Sequence, residues 1–405
     1  MADVEAAPAG RGLALALSGG GFRASLFHAG ALIRLNELGL VSRLSAVSGV
    51  SGGAVIAGIL ASRWCCLPAP DANGVIPGFA AAIVNPLRAF ALQSFGLRAW
   101  IRGLFPGRTQ IEALADHYRD RLHMQTGLTD LPARPAFSFL ATDLDSGGGF
   151  VFARDRTGVY HDRPVIDPDY DLATAVACSC AAPLIFAAAH LPRRSKHHRL
   201  PPAGSRWARR VPGGWLLSDG GVYDNLGLEP IWKRGMHLLV SDAGMRLPAF
   251  DEARPGVIRN LPRNLMRNAR ILDAQNRAMR ARHLFAMRER DAYREAAARG
   301  PESAGSSDRD LLAQYGYRVA YWGTFTPIDE YRLCDALRVD PDRQREIAMT
   351  KTTLDRIDPD RQAELINLGY ALSDAAVRRW APSLPERRWP PRWPEPDHRL
   401  DGLPT

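Results

Sequence analysis

The chain alternates short apolar runs with stretches whose apolar residues recur at helical spacing. Leu13 to Leu17 reads LALAL, a continuous apolar run that predicts a buried strand, and Gly19-Gly20-Gly21 interrupts it. Between Arg23 and Leu38, apolar residues at Leu26, Phe27, Ala31, Leu32 and Leu35 mark one face of a helix. The unit then repeats, with a strand over 44–49 (LSAVSG), a turn over 50–53 and a helix over 54–64. Strand, turn and helix in immediate repetition predict an α/β fold, a parallel sheet covered by helices.

Further along, 135–152 predicts two strands around a turn at 145–149, and 172–182, rich in small residues, a packed helix ending before Pro183. GWLLSDGG and HLLVSDAG each predict one more strand and turn. Residues 67–78 and the basic stretch 192–214 read as loops. Residues 79–105 are apolar with spaced arginines (Arg88, Arg98, Arg102) and the anchors Phe95 and Trp100. They predict one or two amphipathic helices capping the core, with a membrane-facing lid as the weaker alternative. Residues 254–299 are helical by pattern and dense in arginine, which reads as a solvated helix face, and the Pro/Trp-rich tail from Pro382 reads as extended over the surface. The expected organisation is a mobile leader (1–11), a catalytic domain (12–246), an arginine-rich helical region completing it (247–330), and a C-terminal helical extension with its tail (331–405).

The 405 residues are 46% hydrophobic and 23% charged, enough apolar material for one large core or two smaller ones, which excludes disorder of the whole chain. No apolar run approaches the ~18 residues of a membrane-spanning helix. The N-terminus lacks the cationic start and apolar stretch of a secretory signal. Five cysteines, odd in number and unevenly placed, do not form a disulfide framework, so the expected location is cytoplasmic, with peripheral membrane contact. The net charge of +9 comes almost wholly from arginine, lysine occurring only at 196, 233 and 351. That bias reflects coding composition, and no nucleic-acid partner is expected; anionic lipid headgroups would respond to the same potential. Cys178 and Cys180 with His190, His197 and His198 nearby are residue types that bind zinc, but Cys-x-Cys supplies two ligands at most, so neither metal nor cofactor is expected.

The strongest chemical signal is GVSGG at 49–53, a G-x-S-x-G pattern between a predicted strand and a predicted helix. A serine on so sharp a turn needs neighbours without side chains, which Gly49 and Gly53 provide, and its place at a helix N-terminus favours developing negative charge. Ser51 is therefore the candidate nucleophile. The second signal is SGGGFRA at 18–24: consecutive glycines present closely spaced N–H donors, so Gly19, Gly20 and Gly21 are candidates for an oxyanion hole. Gly19-x-Gly21-x-x-Ala24 also fits a dinucleotide fingerprint, but the second strand ends in GVSGG rather than in an acid for the ribose. For the base, His237 falls after an acid in Ser, Asp, His order but begins a predicted strand. Asp219 ends one and opens the turn Asp219-Gly220-Gly221, at the edge where α/β sites form, and a desolvated carboxylate can take a serine proton directly.

SGGGFRA, GVSGG and DGGVYDNLGLEP in this order, with ATDLDSGG (141–148) and CSCAAPLIF (178–186) between them, resemble the patatin-like phospholipase family, including its cytosolic phospholipase A2-like members. The likeness covers roughly 13–244. It implies a three-layer fold with a central, mostly parallel sheet flanked by helices, and a Ser51–Asp219 dyad without histidine. It also implies an oxyanion hole at Gly19 to Gly21, and a role for Arg23 in orienting that loop or meeting a lipid phosphate. Ala24 stands where many members have glycine, as in the phospholipase A2-like branch. The implied function is phospholipase A or lysophospholipase activity on a lipid substrate, with a soluble carboxylesterase or thioesterase, or a non-catalytic membrane-surface scaffold, as alternatives.

Overall fold

Strand β1 (Leu13–Leu17) is buried along its whole length, and its alternate side chains serve two different interiors. Leu13, Leu15 and Leu17 join the larger apolar cluster, whereas Ala14 and Ala16 join a smaller one. A strand of period two that is covered on both faces must lie in the middle layer of three. The computed structural model describes residues 12–94, 109–159, 165–166, 168–183, 185–192, 214–232, 236–247, 257–298, 319–385 and 389–402. The leader 1–11, Phe95, Trp100 and the loop 193–213 lie outside the described residues.

Helix α1 (Gly21–Glu37), strand β2 (Leu44–Val50) and helix α2 (Gly52–Arg63) complete the two repeated units. A π-helical turn over Ala80–Val84 leads into α3 (Asn85–Ala91), and α4 (Gln110–Leu122) begins with a capping box between Thr109 and Glu112. There follow β3 (Ala136–Asp143), β4 (Gly149–Ala153), β5 (Arg156–Val159), β6 (Val165–Ile166), α5 (Leu172–Ser179), β7 (Ala189–Pro192) and β8 (Gly214–Asp219). The one-turn α6 (Gly221–Asp224), β9 (His237–Asp242), α7 (Val257–Ala298), β10 (Val319–Gly323), α8 (Pro341–Ala348) and α9 (Pro359–Trp380) end the series. The sheet runs β10-β9-β1-β2-β3-β4-β5-β6, parallel from β10 to β3 and antiparallel beyond, with β8 also on β3 and β7 on β8. With helices on both faces, this is the expected α/β fold with its three layers.

The residues that follow Gly244 are built into this frame. β10 extends the parallel sheet beside β9, and α9, buried over most of its length, lies against α1. Buried Arg34 of α1 pairs with buried Asp374 of α9 at 2.7 Å and donates to the Trp389 carbonyl at 2.5 Å, which brings the tail onto the same face. Asn367 Nδ2 holds that tail further along through the carbonyls of Glu395 and His398, at 2.9 and 2.7 Å.

Candidate active site

Two strands of opposite direction end against the same edge of β3. β2 pairs in parallel as far as Val50 opposite Leu140, and β8 descends antiparallel to Asp219 opposite Ala141. Their next residues therefore turn out of the sheet at neighbouring register positions, and Ser51 meets Asp219. The sequence places Asp219 at the end of a strand, on the edge where α/β sites form; that strand runs antiparallel to β3, and the carboxylate reaches the site because β8 takes over the β3 edge where β2 stops.

Ser51 has φ of 50° and ψ of −118°, backbone angles outside the ordinary regions for a residue with a side chain. The turn holds because its glycines admit backbone contact: a Cβ on Gly53 would lie 2.2 Å from the Leu17 carbonyl oxygen, and one on Gly52 2.0 Å from that of Gly21. Gly49 packs similarly against Gly53 and Ala54. The buried Ser25 hydroxyl donates to the Gly52 carbonyl at 2.7 Å, tying α1 to this turn, and the Ser51 N–H donates to Ser179 Oγ at 2.9 Å.

Asp219 is 7% exposed, and burial pushes its carboxyl up from the usual carboxylate range to about 6. The Gly221 N–H, donating at 2.7 Å, and a hydrogen bond with Ser51 act against burial, while nearby Asp273 adds to it. Thr142 Oγ donates to the Asp219 carbonyl at 2.8 Å and accepts from the Tyr223 N–H, so β3 fixes the whole turn. Buried Cys180 also stands beside Ser51 and Asp219, and burial raises its thiol pKa well above the ordinary value, leaving it protonated.

The three glycines differ. The Gly19 N–H is already engaged by Asn225, through its carbonyl at 3.0 Å and its Oδ1 at 3.1 Å. Gly20 and Gly21 carry positive φ values of 146° and 62°, and no hydrogen bond among the described residues takes their N–H groups. Arg23 is fully buried, which excludes a surface role; it reaches the Ala348 carbonyl and Thr352 Oγ, both at 3.4 Å, and desolvation lowers its pKa to about 10. Thr353 accepts from the Phe22 N–H at 2.9 Å, so the chain after α8 lies directly on the glycine loop. His28, buried below that loop, has its pKa lowered by desolvation to about 4 and is neutral. Its Nε2 donates to the Ser18 carbonyl at 2.9 Å, and its Nδ1 accepts from Ser241 Oγ at 2.7 Å.

His237 does not approach the site. It pairs with Leu13 at the start of β1, the end opposite the glycine loop, so a triad through it is ruled out by about 16 Å of strand. Among the described residues no cluster of His, Cys, Asp or Glu is arranged to hold a metal; His197 and His198 lie outside them. A cavity of about 450 Å³ is bounded by α4, α5 and β7 and lined by Ile111, Tyr170, Cys178 and Leu191, with neither Ser51 nor Asp219 in its wall.

Asn225 escaped the sequence reading. Its Oδ1 holds Gly19 while its Nδ2 donates to Asp273 of α7 at 3.1 Å, joining the glycine loop, the Asp219 turn and the arginine-rich helix. The signal was its place six residues after Asp219 in DGGVYDN, where it reads as an ordinary loop polar residue.

Residues 15–232 match the family model for patatin-like phospholipase. No curated protein matches the chain. Among solved structures, VipD from Legionella pneumophila is similar at 15% identity over 92% of this chain and 68% of that one, with a TM-score of 0.38. Human GIVD cytosolic phospholipase A2 is similar at 18% identity over 42% of this chain, with a TM-score of 0.29. The chain spans 28% of that human protein. With more than half of its residues matched by the family model, the chain belongs to the patatin-like phospholipases, a family of lipid acyl hydrolases.

Proposed function

We propose that the chain cleaves carboxylic esters of lipids through an acyl-Ser51 intermediate, with Asp219 as the base. The Ser51 proton passes to the Asp219 carboxylate as Oγ attacks the ester carbonyl carbon, and the N–H groups of Gly20 and Gly21 receive the oxyanion. Collapse expels the alcohol, which takes the proton from Asp219. A water then loses its proton to Asp219 and attacks the acyl carbon, releasing the fatty acid and returning the hydrogen to Ser51. The observation that carries this reading is the meeting of a strained, half-buried serine with a carboxyl raised to about 6 by desolvation.

A fluorophosphonate ester tests it. The probe should label Ser51 and stop fatty acid release from dispersed phospholipid in proportion to labelling. Asp219 acts only when ionised, so the labelling rate should fall below about pH 6, by about tenfold for each further unit. An unlabelled Ser51 in the folded protein rejects the nucleophile, and a rate indifferent to pH in this range rejects Asp219 as base.

Asn225 acts on the reaction through Gly19 and is a positioning residue. Asn225→Leu should lower kcat on a soluble ester by roughly tenfold and leave KM within about twofold, because the oxyanion donors lose alignment while ground-state binding is untouched. Steady-state kinetics check this; a change confined to KM would assign Asn225 to substrate binding instead.

A further inference from the structure

Among the described residues, helix α7 (Val257–Ala298) buries apolar groups on the protein only near Leu284 and Phe285, and turns other apolar groups outward. Between Asp273 and Arg280 it holds the protein with charged or amide-bearing side chains. Asn276 and Arg280 donate to the Tyr223 carbonyl at 2.7 and 3.0 Å, Arg280 also meets Glu229 at 3.2 Å, and Arg277 meets Asp242 at 3.5 Å. By contrast, Leu265, Leu272 and Met279 are 55%, 70% and 65% exposed. They stand seven residues apart, a spacing that drifts only about 20° around the helix per step, so they form one stripe.

The stripe lies on the side of the molecule where Ser51 sits. Leu284 of α7 is buried in the cluster that contains Ala14, Ala16 and Val240, on one face of the sheet. Asp273, eleven residues earlier, is bonded to Asn225 at the C-terminal edge of β1, beside the glycine loop. The helix thus climbs the sheet toward that edge, and residues 257–272 continue it for about 24 Å. Val222, three residues after Asp219 on the neighbouring α6, is also exposed.

Charge selects the partner. Between 264 and 286 the exposed charged residues are Arg270 and Arg282, and the one acid in that span, Asp273, is half-buried and bonded to Asn225. The sequence adds Arg259 and Arg263 in the turns beyond. An apolar stripe flanked by arginines matches the boundary between anionic headgroups and acyl chains, where apolar groups insert and guanidinium groups meet phosphate.

We infer that the 265–279 stretch of α7, through Leu265, Leu272, Met279 and Arg270, docks the protein on an anionic bilayer with the Ser51 edge facing the lipid. This rests on the lipid-hydrolase reading only for its purpose, and the two fail separately. The full chain should bind vesicles of phosphatidylcholine and phosphatidylglycerol in sedimentation, and pure phosphatidylcholine far more weakly. The triple variant Leu265→Gln, Leu272→Gln, Met279→Gln should lower that partition roughly 100-fold. Arg270→Gln should lower it roughly fivefold and reduce the preference for anionic lipid. Both variants should keep wild-type turnover of a soluble short-chain ester and lose turnover of vesicle lipid. Unchanged partition of the triple variant, or a wild-type chain that binds no anionic vesicle, overturns the inference. So does light scattering in which the triple variant changes oligomeric state while vesicle binding stays the same, since the stripe would then cover a second copy. Vesicle binding through the stripe without any ester turnover would instead sink the hydrolase reading and leave the docking face standing.

Discussion

Asp219→Asn should lower ester hydrolysis by about 10⁴-fold and at the same time raise the stability of the protein at pH 7 by about 3 kcal/mol. Asparagine keeps the shape and can still accept from the Gly221 N–H, but it cannot take the Ser51 proton. The stability gain follows from the raised carboxyl. An aspartate that titrates near 4 when unfolded and at about 6 when folded binds its proton more tightly in the native state. Wild-type stability relative to the unfolded chain therefore declines as pH rises from about 4 to about 6, and above that range the buried charge is a standing cost. The variant has no such charge, so its advantage should be full above about pH 6 and vanish below about pH 4. Urea denaturation of both proteins across this range, beside fatty acid release, checks the two halves together. A variant that is inactive but no more stable at pH 7 would mean that desolvation is not what raises Asp219; retained activity would remove it from the mechanism. A loss of function coupled to a gain of stability is the mark of a group held in an unfavourable state for use.

Gly369→Ala should destabilise the protein by at least about 3 kcal/mol, even though alanine suits a helix interior better than glycine by about 1 kcal/mol. The two effects oppose each other, and the distance decides the sign. A Cβ on Gly369 would stand 1.8 Å from the Phe27 carbonyl oxygen, and one on Gly30 would stand 1.8 Å from that of Ile366. Both obstacles are helix backbone, so the clash is relieved only if α9 withdraws from α1. That withdrawal would strain the buried Arg34–Asp374 pair and the approach of Thr353 to the glycine loop. Chemical denaturation of Gly369→Ala and Gly30→Ala should show losses of similar size, and the double variant less than their sum, because one displacement relieves both contacts. A stabilised Gly369→Ala would show that the helices have room to part.

Local pattern carried the repeated strand, turn and helix units, the glycine loop at 19–21 and the turn around Ser51. In each of these the requirement is met by neighbours in the chain: a buried strand needs a run of apolar residues, and a strained serine needs glycines within two positions. The same logic reached Asp219 as the end of a strand, but not the direction of that strand, since how β8 meets β3 depends on which edge β2 leaves open. Asn225 reads as an ordinary loop residue, the resemblance gives Arg23 a role beside the glycine loop without revealing its burial, and α7 reads as a solvated face. Their partners lie tens to hundreds of positions away, and no periodicity encodes a contact between Gly19 and Asn225 or between Arg23 and Ala348. Which of the three glycine amides is already taken, and that the last helix seals the first, are facts of long-range packing. Chain neighbours set the local shape, and only the assembled sheet with its two covered faces brings distant residues within hydrogen-bond reach.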